Sequence, residues 1–213
     1  MDDKGGQQVR YVKIFGLAAV AAMVFMAFAG AGSASATVLC KENASPCPEE
    51  QRYESGAVLK WTAENTVITW SPNMKCAHSE MVTEVTESGG EGEPVTGTVT
   101  NFSFTGCKLE TISQPSCTVG VKGLPYHAEV IGSGGNGAIL VSGATAEVFC
   151  AGVFVCSFGS EVFELPVAGG NPAKIIASNY PLEIGGILCP NEARWDTVFK
   201  AVAPNIPVWV VTE

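Results

Sequence analysis

The run VLKWTAE at residues 58–64, followed closely by TVITWS at 66–71, decides the fold class. Leu59, Trp61 and Ala63 fall on one side of an extended chain, and Lys60, Thr62 and Glu64 on the other. In the second run Trp70 shares the side of Ile68. An apolar/polar alternation of period two is the mark of a strand with one buried face. Working outward, the same pattern recurs in EMVTEVT, GTVTNFSF, CTVGV, YHAEVI, AILVSG, AEVFC, VFVCSF, EVFELPV, AKIIAS, WDTVFKAV and IPVWVVT. In WDTVFKAV, Trp195 lies beside Phe199 and opposite Arg194, Asp196 and Lys200. Gly, Pro, Asn and Ser separate the runs, and no segment from residue 37 onward carries a 3.6-residue apolar repeat. About a dozen short strands at this spacing predict an all-β domain, an antiparallel β-sandwich or sandwich-like barrel. Three of the four tryptophans are expected on its buried face.

The first 36 residues read differently. Lys4, Arg10 and Lys13 precede an apolar run from Ile14 to Ala31, and Ala34-Ser35-Ala36 follows. A basic start, an apolar middle and an A-x-A site make a secretory signal peptide. The apolar run is long enough to serve instead as an uncleaved anchor, and either way the basic end holds the N-terminus inside. The expected organisation is a signal peptide over residues 1–36 and one exported all-β domain over residues 37–213. Lipid attachment at Cys40 fits poorly, because Leu39 precedes it where a small residue is wanted.

Cleavage after Ala36 leaves 177 residues, with nine basic and nineteen acidic side chains. That acidic balance serves solubility and repels nucleic acid and anionic lipid, both of which need a basic footprint. Eighteen of the acids are Glu and only Asp196 is Asp, so no calcium loop built on alternating Asp and Asn exists. The stretch EMVTEVTESGGEGEPV reads as an exposed strand running into a solvated loop. An outer-membrane barrel needs strands of about 9–11 residues, and most of these runs are shorter.

All eight cysteines, Cys40, Cys47, Cys76, Cys107, Cys117, Cys150, Cys156 and Cys189, lie in the exported part. An even count without any C-x-x-C predicts a disulfide framework rather than a zinc ribbon or redox pair. Closure of short loops favours Cys40–Cys47, Cys107–Cys117 and Cys150–Cys156, which leaves Cys76–Cys189 as a long-range bridge.

Chemistry-bearing patterns are few. GSGGNG at residues 132–137 matches a dinucleotide fingerprint in letters, but a strand pattern follows it where a phosphate-binding helix is required, so a glycine-rich hairpin is expected. GGNGAILVSG from Gly134 and GGNPAKIIAS from Gly169 echo each other, as Gly-Gly-Asn turns entering apolar strands do by convergence. His78 and His127 are the only histidines, and no G-x-S-x-G elbow is present. NMKCAHSEM, if extended, places Met74, Cys76 and His78 on one face, a copper-like set. An oxidised Cys76 in a core-facing strand is the competing reading, and no metal site or cofactor is expected. Glu pairs such as Glu161 and Glu164 are the raw material for a hydrolase, provided they sit buried in a cleft. Tyr53, Tyr126 and Tyr180 are the aromatics for a glycan or small-ligand surface.

LCKENASPCPEEQRYESG, GGNPAKIIAS and GGILCPNEARWDTVFKAV together resemble a loose group of small, Cys-bearing exported bacterial proteins of uncharacterised role. The resemblance implies a structural role for Cys40, Cys47 and Cys189, and it brings no catalytic residue. The expected function is that of a secreted or cell-surface, non-enzymatic protein whose partner is an extracellular protein or a glycan. A glycan- or small-ligand-binding module and a Glu-dependent hydrolase are the alternatives.

Overall fold

The computed structural model describes residues 36–90, 92–186, 189 and 192–213; the expected signal peptide over residues 1–36 lies, but for Ala36, outside the described residues. Fourteen strands occur among them, all paired antiparallel, and no α-helix. In chain order they begin with β1 (Thr37–Cys40), β2 (Val58–Thr69), β3 (Met74–Gly90), β4 (Glu93–Thr105) and β5 (Cys107–Leu109). The middle of the chain forms β6 (Ser116–Lys122), β7 (Tyr126–Ser133), β8 (Asn136–Ser142), β9 (Thr145–Cys150) and β10 (Val153–Gly159). The last four are β11 (Val162–Ala168), β12 (Lys174–Gly185), β13 (Ala193–Ala203) and β14 (Trp209–Thr212).

The pairings close on themselves twice. One ring runs β3-β2-β13-β12-β11-β8-β7-β4 and returns to β3. The other runs β3-β2-β13-β12-β10-β9-β6-β5 and also returns to β3. Four long strands therefore serve both rings, one end in each. Closure removes most free edges, the standing hazard of a sheet protein.

Alternation holds as VLKWTAE predicts: Leu59, Trp61 and Ala63 are buried while Lys60, Thr62 and Glu64 face outward. Trp195 is also buried, and Trp70 is half-buried against Phe158. The strands are not uniformly short. β2 and β12 have 12 residues, β3 has 17, β4 has 13 and β13 has 11. Length alone thus fails to argue against a membrane barrel, but polarity argues against it, since these strands turn apolar groups inward and Lys, Thr and Glu outward. The expectation of a solvated Glu-rich loop is also corrected. β3 runs on to Gly90, with Met81, Thr83 and Val85 buried, and the glycines make only the hairpin tip.

The two rings meet at a belt where the shared strands change phase. In β2, Glu64 and Asn65 are both exposed between buried Ala63 and Thr66, and Asn65 takes a left-handed φ of 57°. Opposite it in β3, Ala77 and His78 turn outward between buried Cys76 and Ser79, and the register between the strands is kept. β12 bulges at Ser178 and Asn179, where the Asn179 N–H donates to Asp196 Oδ1 at 2.7 Å and φ is 50°. Asn tolerates this conformation at least cost among residues with a side chain. β2 and β12 both shift register against β13 here, and with the matched phase change of β3 this lets inward faces serve both rings.

The Gly-Gly-Asn echo acquires a common role. GSGGNG is a β7–β8 hairpin turn, and Gly135 bridges to Val210 while Gly170 bridges to Val208. Asn136 Oδ1 accepts the Gly169 N–H at 3.1 Å. Both turns thus dock side by side on Val208–Val210, at the start of β14, which pairs in full with β1. The approach requires glycine: a Cβ on Gly169 would stand 2.0 Å from the Gly135 carbonyl oxygen and 2.6 Å from Trp209.

Candidate functional site

The phase change at Ala77 dismantles the sulfur-imidazole cluster expected of NMKCAHSEM. Met74 and Cys76 point into the core, both at least 98 % buried. His78 lies past the phase change and faces outward, with Nδ1 2.9 Å from Glu64 Oε1. Cys76 is oxidised to Cys107. Met74, Cys76 and His78 therefore do not form one ligand set. Among the described residues no three His, Cys, Asp or Glu side chains converge as metal ligands.

The cysteines pair as Cys40–Cys47, Cys76–Cys107, Cys117–Cys150 and Cys156–Cys189. Cys107–Cys117, Cys150–Cys156 and Cys76–Cys189 are corrected, and strand register gives the reason. The tight turn after β9 sets Cys150 opposite Val153, so Cys156 faces Val148, two places along. Cys107 does face Cys117 across β5 and β6. Its sulfur instead bonds Cys76 on the other side, and Cys117 bonds its own partner Cys150 on β9. Sequence proximity misleads here because three cysteines stand in one cross-strand row.

The three tyrosines do not form a glycan platform. Tyr53 is buried with its hydroxyl donating to Pro207 O at 2.9 Å, and burial pushes its pKa up to about 12. Tyr126 is buried with Lys122 O and Thr145 O in reach of its hydroxyl, and burial again raises its pKa. Tyr180 stacks on Phe163 at 5.5 Å, and its hydroxyl donates to Val162 O. Glu161 and Glu164 are exposed. The buried polar side chains among the described residues are Thr37, Thr66, Ser79, Thr83 and Thr197, with no carboxylate in the set. The water-excluded acid pair that a hydrolase reading calls for is therefore missing from the described interior. His127 is exposed on β7.

Three of those buried hydroxyls form one cluster inside the belt. Thr66 Oγ1 lies 2.8 Å from Ser79 Oγ and 2.9 Å from Thr197 Oγ1, joining β2, β3 and β13 where the outer faces bulge. No imidazole or carboxylate joins them, so they hold the belt rather than activate a nucleophile. Beside them an apolar cavity of about 60 Å³ is walled by Phe102, Phe104, Phe158, Phe163, Trp195 and Phe199. The indole N–H groups of Trp195 and Trp70 are buried without an acceptor. Drug-sized pockets run to roughly 300–1,000 Å³, so this small apolar space suits a side-chain-sized group.

Outside, a groove of about 700 Å³ runs over Cys76 between Asn65, Lys75, Lys108 and Glu110. Lys75 Nζ donates to Glu110 Oε1 at 2.6 Å and Asn73 donates to Oε2, which holds the Glu110 carboxyl below its usual range. The groove carries no aromatic side chain, unlike a sugar site. No protein family, curated protein or solved structure matches the chain. Sequence reasoning missed the belt and its hydroxyl cluster; the available signal was asparagine in mid-strand at positions 65 and 179.

Proposed function

We propose that this protein works outside the cytoplasm as a disulfide-stapled β scaffold that acts through contacts with other macromolecules. The observation that carries the reading is the oxidised cysteine set. Four disulfides join all eight cysteines, and three of them span 31 to 33 residues to tie separate strands together. Such bonds persist where no reducing pool removes them. The signal-like N-terminus points the same way, and no helix of the described residues is long and apolar enough to cross a membrane. The histidines stand apart on outer faces, no described carboxylate is fully buried, and the buried hydroxyls cluster without a base, so the described side chains support contact rather than catalysis.

The test is expression of the full chain in a bacterial host, followed by fractionation, intact-mass measurement and thiol counting. The expected product leaves the cytoplasm, begins at Thr37 and shows eight blocked thiols until it is reduced. Recovery from the cytosol with reduced cysteines and full folded stability would refute the reading.

A further inference from the structure

Among the described residues backbone pairing in the wall is interrupted at two places: between β11 and β12, where only Val167 and Ala168 pair and the Tyr180 hydroxyl bonds to the β11 backbone, and at a seam between β4 and β6. β4 pairs with β7 only from Val95 to Val99, so Thr100–Thr105 is bonded to β3 alone. β6 pairs with β5 only at Ser116 and Cys117, so Thr118–Lys122 is bonded to β9 alone. Each stretch therefore has one edge without a hydrogen-bonded strand partner, and beyond the corner at Gly106 the two edges stand against each other with their backbones close but unbonded, so a guest strand must part them. None of the residues 100–105 and 118–122 is buried, in contrast to Val95 and Val99 earlier on β4. The apolar cavity lies behind this seam. Phe102 and Phe104 wall it from β4, Tyr126 from the far end, and Thr145 and Ala146 from the strand that backs β6.

We propose that the seam receives an extended segment of another polypeptide, which adds as a strand to the free edge of β4 and inserts one apolar side chain into the cavity. Edge amides and carbonyls supply main-chain hydrogen bonds, while a pocket at one position supplies selectivity. The cavity sets the anchor. It is small, about 60 Å³, and lined almost wholly by apolar groups, which favours a compact aliphatic anchor such as Val, Ile or Leu over a polar one. Charge sets the rest. Near the seam, Lys122 is held by Glu147 at 3.0 Å and Glu80 by Lys60 at 2.7 Å, leaving a neutral rim of Thr, Asn and Ser. The whole chain carries −9, so the favoured segment is uncharged at its centre and basic at its flanks. This deepens the contact-based reading proposed above. Export and thiol blocking test that reading independently, so either can fail alone.

The experiment is selection of displayed random heptapeptides against the oxidised full chain, with the cavity-filling variant Ala146→Leu as counter-target. The expected winners share one aliphatic position between β-forming polar residues. Their affinity should fall at least tenfold on Ala146→Leu and also on N-methylation of alternate peptide amides. Phe104→Ala, which enlarges the cavity, should shift the preferred anchor from Leu or Val to Phe. That exchange of preference cannot come from a merely destabilised protein. Hydrogen exchange should show fast amides in Thr100–Thr105 of the free monomer and slowed ones with peptide bound. The proposal is overturned by winners that bind Ala146→Leu equally or tolerate N-methylation in either register. It is equally overturned by no enrichment over the counter-target, or by a stable dimer whose β4 edges already protect each other.

Discussion

Replacing Thr66 with valine tests whether the buried hydroxyl cluster holds the belt. The substitution keeps shape and volume and deletes one oxygen, yet that oxygen serves both Ser79 at 2.8 Å and Thr197 at 2.9 Å. Those two partners are 0 % and 6 % exposed, so water cannot replace what they lose. A buried hydroxyl left unpaired costs about 1–3 kcal/mol. With two stranded, Thr66→Val should lower stability by roughly 2–4 kcal/mol, or on the order of 5–15 °C in Tm for a domain of this size. The triple replacement Thr66→Val, Ser79→Ala, Thr197→Val removes every member and should cost less than the single one, because no orphan remains. Urea unfolding followed by tryptophan fluorescence, with disulfides intact, gives both numbers from one series. Thr66→Val within about 0.5 kcal/mol of the parent, or a triple variant near the sum of the singles, would refute the reasoning.

Two glycines separate steric need from conformational need. Gly169→Ala should cost roughly 3 kcal/mol or abolish folding, because its Cβ meets the Gly135 carbonyl oxygen. Gly134→Ala has nothing within 4 Å and only a φ of +64° to pay for, about 1 kcal/mol; equal effects in thermal melts would disprove the docking role of the two turns. Burial favours neutral Tyr53, whose folded pKa is about 12 against about 10 unfolded, so its contribution is complete below pH 10 and is lost as pH rises towards 12. The expected loss is roughly 2 kcal/mol by pH 12, it should shrink in Tyr53→Phe, and an unchanged alkaline limb in that variant would count against burial as the cause. In the double variant Cys76→Ala, Cys150→Ala, the remaining Cys107 and Cys117 face each other in register and should cross-link. Non-reducing peptide mapping reads this, and two free thiols there would show the register to be wrong.

Period-two patterning carried most of the fold, because burial of one face per strand is written residue by residue in runs such as VLKWTAE. What the pattern could not carry was strand length and closure. β3 passes through its change of phase at Ala77 and its glycine-rich tip without ending, since pairing to β2 and β4 overrides local turn signals. The same change of phase undid the grouping of Met74, Cys76 and His78, which assumed unbroken alternation. The Cys40–Cys47 pairing held, and the other three expected disulfides failed for a different reason. Chain separation measures closure entropy, whereas the bond forms between sulfurs that register brings face to face, and three sulfurs share one row. β1 and β5, four and three residues long, were too short to give a pattern of their own.

The corrected pairing also bears on where the molecule can yield. A Cys107–Cys117 bond would have stapled β5 to β6 at the head of the seam. Instead Cys107 is tied outward to β3 and Cys117 outward to β9. Each side of the seam is thus anchored to its own half of the wall, and only the short pairing of β5 with β6 joins the two sides there. Covalent constraint and missing hydrogen bonds are arranged to opposite effect: the flanks resist movement, while the line between them has few backbone bonds to break. Local opening favours such lines. The gap between β11 and β12 is already bridged by the Tyr180 hydroxyl, whereas no disulfide crosses the β4–β6 seam, so the seam proposed above as a strand acceptor is free to part without breaking a covalent bond.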